Sequence, residues 1–326
     1  MSKLSKDKYI ACYMNMLLIR RFEEKCAQFY GMGLIGGFCH LYIGQEAVLV
    51  GTMMAKSTED AMITSYRDHA HAILSGIDPK YVMAELLGKF EGCSKGKGGS
   101  MHMFNTKGHF YGGHGIVGAQ VPIGTGIAFT SKYKNTNNIC LTFLGDGAMN
   151  QGQVYESFNM ASLWKLPVIY IIENNEYSMG TSVGRSTSVT NLYKKGRSFG
   201  IEGIEADGMN VENVYEAATQ AVEFVRKQKE PIILELKTYR YKGHSMSDPA
   251  QYRSKEELNH YKKLDPIDNL YDILLSKGYA TKDELKKIEK DIKSQIRDIE
   301  NFIENDTSLP SEEELYTDVY APEIIV

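Results

Sequence analysis

The sequence predicts an α/β fold in which helices flank a doubly wound, mostly parallel sheet. Apolar runs at residues 139–144, 167–172 and 232–236 have the length and composition of strands that are buried on both faces. Segments 153–164 and 211–226 lie between these runs and have the periodicity of amphipathic helices. Strands that alternate with helices in this way favour a parallel sheet.

Helical segments are predicted at both ends of the chain. Apolar residues recur at helical spacing over residues 6–30, and the charged stretch 254–305 is also predicted to be helical. Between them, a helix is expected from about residue 45, and Asp78 before Pro79 is typical of a helix start. We divide the chain into an N-terminal helical segment (1–40), an α/β core (41–240) and a loop with C-terminal helices (241–326), which we expect to form one compact unit.

Two long loops and one unusual helix are also predicted. Residues 88–118 are dense in glycine, and a loop of this length in a compact chain is usually functional. Residues 120–133 are interpreted as a buried helix rich in small side chains. Residues 173–190 are interpreted as a polar loop.

Composition excludes several classes of function. The 37 Lys and Arg against 41 Asp and Glu give a formal net charge of −4, which provides no reason to expect nucleic acid or an anionic membrane. The five cysteines are scattered, without a C-x-x-C pair, as is typical of a reducing compartment. No apolar run approaches the roughly 20 residues of a membrane helix, and the N-terminus has no signal or transit pattern. These features predict a cytoplasmic protein.

The strongest chemical motif follows two neighbouring apolar runs. Gly145-Asp146-Gly147 comes after the first run, and Asn174-Asn175 comes after the second, with 26 residues from 148 to 173 between the two groups. Ligands of open parallel sheets bind at the carboxyl ends of strands, so both groups are expected at one edge. Carboxylate and amide oxygens are hard ligands that suit Mg²⁺, and the backbone N–H groups beside them suit a phosphate.

The motif and its surroundings resemble a known family. The motif that begins with Gly-Asp-Gly and ends with Asn-Asn is similar to the thiamine-diphosphate motif. Four longer runs resemble the α subunits of thiamine-diphosphate-dependent 2-oxo acid dehydrogenases, and their residues are most similar to those of the pyruvate group. These runs are residues 113–120, 145–167, 173–182 and 241–249. The resemblance extends over roughly residues 15–320 and implies the thiamine-diphosphate-binding fold.

The resemblance implies which residues hold the cofactor. Mg²⁺ would be bound by Asp146, Asn175 and the backbone carbonyl of Tyr177, with Asn174 as a neighbour. The diphosphate and the aminopyrimidine ring would be bound by a second group of residues, namely Gly147, Ala148, Tyr66, Arg67, Gly115 and Val117. An arginine suits this role because its guanidinium pairs with phosphate oxygens in a bidentate manner.

Two histidines match catalytic positions of the family. His40 matches a residue on the substrate side, and His244 matches a loop histidine near the diphosphate and the reacting carbon. Both are candidates for moving protons and for stabilising the reaction intermediate. Ser245 and Ser247 match a region that is phosphorylated in mitochondrial relatives, and we interpret them here as loop residues that form hydrogen bonds.

The sequence departs from the family pattern at a few positions. Lys242 precedes Gly-His where relatives often carry another residue, Ser178 replaces a common glycine, and Gly184 stands where an acid is frequent. We expect none of these to touch a proposed ligand side chain.

The implied reaction is oxidative decarboxylation of a 2-oxo acid, pyruvate, with transfer of the acetyl unit to lipoyl groups of an acyltransferase. Thiamine enzymes also need a glutamate that activates the aminopyrimidine ring, and this chain lacks a second domain to supply it. A β subunit is therefore expected, in an α₂β₂ assembly with the active sites at the α/β interfaces.

The sequence alone allows several alternative functions. Within the family, the chain could be the α subunit of an acetoin or branched-chain 2-oxo acid dehydrogenase. Residues 31–36 and 113–118 both match the dinucleotide-binding pattern G-x-G-x-x-G, so an NAD-dependent oxidoreductase is an alternative function. The first match follows a helix and the second is expected within a loop, and neither position is typical of that fold. A non-catalytic scaffold would be expected to have a broken metal motif, whereas Asp146 and Asn175 are intact.

Overall fold

The computed structural model describes residues 4–319. The first three and last seven residues, which belong to the predicted terminal segments, lie outside this range. The described residues form eight strands: β1 (Ala61–Ser65), β2 (Phe110–His114), β3 (Cys140–Gly145), β4 (Val168–Asn174), β5 (Tyr177–Ser178), β6 (Thr181–Ser182), β7 (Glu202–Asp207) and β8 (Ile232–Lys237).

Six of these strands form one parallel sheet in the order β2-β1-β3-β4-β8-β7. The predicted α/β class is confirmed. The three apolar runs form β3, β4 and β8 at its centre, where every residue of β4 is buried. Strands β5 and β6 form a separate antiparallel hairpin.

Helices cover both faces of the sheet and extend from both ends of the core. They are α1 (Lys6–Gly31), α2 (Glu46–Met53), α3 (His69–Leu74), α4 (Pro79–Leu86), α5 (Gln120–Tyr133), α6 (Gly152–Leu163), α7 (Val183–Ser186), α8 (Val211–Gln228), α9 (Lys255–Lys262), α10 (Pro266–Ser276) and α11 (Lys282–Asn305). The predicted start of α4 is confirmed, because the Asp78 side chain accepts a hydrogen bond from the Lys80 N–H and Pro79 occupies the first helical position.

The predictions for three segments were partly wrong. The glycine-rich segment 88–118 contains edge strand β2 and a short helical turn, Thr106–Gly108. The polar loop 173–190 contains the end of β4, the β5–β6 hairpin and α7. Helix α5 buries only one face, since small residues such as Gly124 contact the sheet while Phe129 on the other face is exposed.

The terminal helices pack against each other and against the core. Helix α1 contacts α10, α11 and α2. At the centre of this contact, the Arg20 guanidinium bonds to Glu46 on α2 at 2.5 Å and to Asp265, the residue before α10, at 2.9 Å. Glu46 is fully buried, so this arginine compensates a charge that would otherwise be costly. The division of the chain at residues 40 and 240 stays a prediction.

Two further features bear on the chain's environment. All five cysteines are free thiols. Within residues 4–319, no helix combines the length and the apolar character needed to cross a membrane.

Candidate active site at the carboxyl edge of the sheet

A cleft of about 880 Å³ opens where β1, β3 and β4 end. Parallel pairing places Gly145 of β3 directly opposite Glu173 of β4, so the segments that follow these residues emerge side by side. Ligands of open parallel sheets bind at this edge. Every residue predicted for the site lines the cleft: His40, Tyr66, Arg67, Gly115, Val117, Asp146, Gly147, Ala148, Asn175, Tyr177 and His244.

Three oxygens proposed as metal ligands lie together on this edge. Asp146 begins the helical turn Asp146–Asn150 and is 4% exposed. Burial raises the pKa of its carboxyl group, while a hydrogen bond from Ser178 acts in the opposite direction. The Tyr177 N–H donates to Asn175 Oδ1 at 3.4 Å.

A buried cation already contacts two of these oxygens. Arg240 follows β8, and its Nη1 donates to Asn175 Oδ1 at 3.2 Å and to the Tyr177 carbonyl at 3.1 Å. The oxygens are thus oriented toward positive charge. A carboxylate, an amide oxygen and a backbone carbonyl form a donor set that fits Mg²⁺, which prefers hard oxygen ligands.

The two asparagines at the end of β4 point in different directions. Asn175 donates from Nδ2 to Gln45 Oε1 at 3.0 Å, which fixes the amide so that Oδ1 faces the cleft. Asn174 donates to Glu235 on β8 at 2.7 Å and accepts from the Glu176 N–H at 3.2 Å. Its side chain therefore belongs to the sheet edge, as expected for a neighbour of the ligand set.

Ser178 contradicts one prediction from the sequence. Its hydroxyl donates to Asp146 Oδ2 at 2.8 Å, so this departure from the family pattern does touch a proposed ligand. The contact also explains why a glycine follows Asp146. A Cβ atom on Gly147 would lie 2.0 Å from Ser178 Oγ, so only glycine permits the approach.

Arg67 connects two segments of the cleft wall. Its guanidinium donates to the Leu41 carbonyl at 2.6 Å and to the His244 carbonyl at 2.8 Å. Burial and then the neighbouring Arg240 lower the pKa of Arg67 to about 10, which still leaves it charged at neutral pH. Two of its five N–H groups donate to these carbonyls, and the side chain lines the cleft.

Three rings form a cluster beside Arg67 in the cleft. The His40 ring lies 4.6 Å from Tyr66 and 5.2 Å from His244, between ring centroids. Burial, with Arg67 as the next cause, lowers the pKa of His40 to about 2 and that of His244 to about 4. Nδ1 of each histidine is buried and finds no hydrogen-bond partner among residues 4–319.

Comparison with known proteins identifies the family of this chain. A family described as "dehydrogenase E1 component" matches residues 14–311, which is most of the sequence. The chain belongs to this family. It is also 64% identical over 315 residues to the pyruvate dehydrogenase E1 component subunit alpha of Rickettsia bellii, covering 97% of this chain and 96% of the relative.

Other relatives with the same description are more distant. The subunit alpha of Rhizobium meliloti is 57% identical over 319 residues, covering 98% of this chain and 91% of the relative. The mitochondrial subunit alpha of Dictyostelium discoideum is 51% identical over 325 residues, covering 99% and 85%. The similarity of this E1 chain to these subunits thus extends along nearly its whole length.

The structure corrects the reason for rejecting an NAD-dependent oxidoreductase. In this E1 chain the second G-x-G-x-x-G match, residues 113–118, does connect a strand, β2, to a helix, α5. It is the family, not the position of the match, that excludes the nicotinamide alternative. The turn carries Gly115 and Val117, and the Val117 carbonyl accepts a hydrogen bond from Gln153 at 3.0 Å.

Sequence reasoning missed several residues of the cleft. Gln45 and Arg240 contact the proposed metal ligands, and buried Glu173 accepts a hydrogen bond from Tyr42. Burial raises the pKa of Glu173 to about 7. A usable signal existed for Arg240, because it follows β8, whose carboxyl end lies at the same edge as that of β4.

The two histidines should be neutral at physiological pH. Their lowered pKa values mean that the folded chain binds fewer protons than the unfolded chain below about pH 6.5. The free energy of unfolding should therefore be highest above that pH. It should decrease as the pH falls from about 6.5 toward the His244 pKa of about 4. In NMR spectra of histidine-labelled protein, assigned with His40→Gln and His244→Gln variants, both ring signals should stay fixed from pH 8 to pH 5. A midpoint near the ordinary value of 6.5 for either ring would contradict this prediction.

Proposed function

We propose that this chain is the α subunit of a pyruvate dehydrogenase E1 component, which binds thiamine diphosphate and Mg²⁺ and oxidatively decarboxylates pyruvate. The main support is that the segments after β3 and β4 meet in one cleft with an oxygen set that fits a hard cation. The whole-length similarity to subunits of this description adds to that support.

Mg²⁺ is held by Asp146, Asn175 and the Tyr177 carbonyl. The support for this set is that Asp146, Asn175 and Tyr177 line one cleft, where the buried Arg240 guanidinium bonds to the Asn175 and Tyr177 oxygens. Mg²⁺ usually takes few protein ligands and completes its octahedron with phosphate oxygens and water. One carboxylate is therefore sufficient when a diphosphate is bound beside it.

The diphosphate is bound by the turn after β3 and by Arg67. The N–H groups of Gly147 and Ala148 lie in the first turn of a helical segment, where donors have no acceptor within the helix. The Arg67 and Arg240 guanidiniums give this wall positive charge that would attract a polyanion. Tyr66 lies beside Arg67, with its ring against His40 and His244.

His40 and His244 act on protons at the reacting centre. Thiamine diphosphate, when bound, would supply a nucleophilic carbon and an acceptor for the electron pair that remains when carbon dioxide leaves. Neutral imidazoles with unpartnered Nδ1 atoms can accept a proton or donate one from the other nitrogen, according to tautomer. Gly115 and Val117, on the turn before α5, contact the aminopyrimidine ring through their backbone.

A β subunit completes the site. Among residues 4–319, the carboxylates that line the cleft are Asp146, Glu173 and Asp248, and each accepts a hydrogen bond within the chain. The glutamate that activates the aminopyrimidine ring therefore comes from the partner, in an α₂β₂ assembly. A lipoyl-bearing acyltransferase accepts the acetyl unit. A cytoplasmic location stays a prediction.

Helices α5 and α6 present an apolar surface that suits such an assembly. Phe129 contacts Trp164 with ring centroids 5.7 Å apart, and large apolar side chains around them are exposed. These exposed residues are Ile123, Phe129, Tyr133, Met160, Leu163 and Trp164. Contiguous exposed apolar patches usually mark interaction sites.

Activity should require both chains and should prefer pyruvate. The purified chain alone is expected to have no decarboxylase activity, because the ring-activating glutamate is absent. Co-purified with its β partner, thiamine diphosphate and Mg²⁺, it should act on pyruvate with a higher kcat/KM than on branched 2-oxo acids or acetoin. Full activity of the isolated chain would refute the need for the partner, and a preference for acetoin or branched substrates would select the alternative function.

A charge on the α5–α6 surface should prevent assembly. Leu163→Asp places a carboxylate on a residue that is 71% exposed in the single chain, so the chain itself should fold normally. Light scattering should show the four-chain species for wild type and smaller species for the variant. Leu315→Asp, at a leucine that is 75% exposed elsewhere, is the matched control. Normal assembly of the Leu163 variant would exclude this surface from the interfaces.

A further inference from the structure

Ser178 makes a contact that the proposed chemistry does not require. Its Oγ donates to Asp146 Oδ2 at 2.8 Å. The backbone N–H groups of Asp146 and Asn175 also interact with this carboxylate, and Ser178 is the side chain that engages Oδ2 within residues 4–319. We infer that Ser178 is a positioning residue that restricts Asp146 to one-oxygen coordination and thereby favours Mg²⁺ over the larger Ca²⁺. This inference rests on the metal site of the proposed function.

The backbone holds the Ser178 hydroxyl in place. Ser178 lies in β5, pairs with Thr181 of β6, and precedes Met179, which adopts the left-handed conformation at φ 51°. On the other side, Gly147 packs so closely that a Cβ atom there would lie 2.0 Å from the Ser178 oxygen. The serine thus occupies a fixed position between the hairpin and the turn after β3, and its hydrogen bond limits rotation of the Asp146 carboxylate.

The second side-chain ligand also offers one oxygen. Asn175 has a single side-chain oxygen, Oδ1, and the hydrogen bond from its Nδ2 group to Gln45 Oε1 at 3.0 Å fixes the orientation of the amide. Each of the two side chains therefore presents one oxygen, and Tyr177 adds one carbonyl. A set of single oxygens suits the regular octahedron of Mg²⁺, whereas Ca²⁺ takes 6–8 ligands and often binds a carboxylate through both oxygens.

Removal of the hydroxyl should change the choice of metal. In Ser178→Ala, Asp146 Oδ2 becomes free, so the carboxylate can rotate or bind through both oxygens. We expect Mg²⁺ affinity to fall by about tenfold, as is typical when a hydrogen bond to a metal ligand is lost. Ca²⁺ affinity should stay within about twofold or increase, so the Mg²⁺/Ca²⁺ preference should fall by about tenfold.

The measurement is calorimetric titration of Mg²⁺ or Ca²⁺ into the metal-stripped α/β assembly at a fixed concentration of thiamine diphosphate. Ser186→Ala is the matched control, since Ser186 is exposed on α7 and bonds only to neighbouring carbonyls and Thr187. Ser178→Thr retains a hydroxyl and should keep the preference of the wild type. Asp146→Asn provides the reference for loss of the ligand charge.

The outcomes separate this inference from the proposed function. No metal-dependent cofactor binding by the wild type would reject the proposed site itself. Binding by the wild type with an unchanged Mg²⁺/Ca²⁺ ratio in Ser178→Ala would overturn only the role of Ser178. An equal loss for both metals would show a structural role and would also overturn it. If the alanine variant does not assemble, Ser178→Gly removes the same hydroxyl and is judged by the same ratio.

Discussion

The parallel pairing of β3 with β4 is the constraint on which the site depends. Gly145 lies opposite Glu173, so Asp146 and Asn175 emerge at one edge of the sheet only in this register. The register is fixed by side chains that are buried on both faces of the two strands. A slip of one residue would turn every side chain to the opposite face and would separate the proposed ligands.

The cleft concentrates charges that reduce stability unless they are paired. Arg67, Arg240, Asp146 and Glu173 are all buried, and the removal of charges from water is costly. Each forms hydrogen bonds to the backbone or to a neighbouring side chain. Burial and then the Arg67 guanidinium lower the pKa of His40 and of His244, and burial and then the Arg240 guanidinium lower the pKa of Arg67. Perturbed groups of this kind cluster at functional sites, because the charge that completes them is that of a ligand.

The sequence predicted the central strands and the site residues that follow them. It did not predict the edge strands or the contacts between distant segments. Strands β3 and β4 are continuous apolar runs, and the polar residues that follow them lie at a predictable edge. Edge strand β7 has an alternating, half-exposed pattern, and β2 contains two glycines, so neither has the apolar signature of a buried strand. The contacts of Gln45 and Ser178 join segments far apart in sequence and depend on turns whose geometry no local pattern specifies.

In the proposed site, Asp146, Asn175 and the Tyr177 carbonyl hold a divalent cation beside a diphosphate. Anomalous diffraction from crystals of the α/β assembly grown with Mn²⁺ and thiamine diphosphate would test this claim most directly, because Mn²⁺ accepts the same oxygen ligands as Mg²⁺. One strong peak is expected within bonding distance of these three oxygens and of the diphosphate. A metal peak elsewhere in the cleft, with the Asp146 carboxylate bonded only to protein groups, would contradict it.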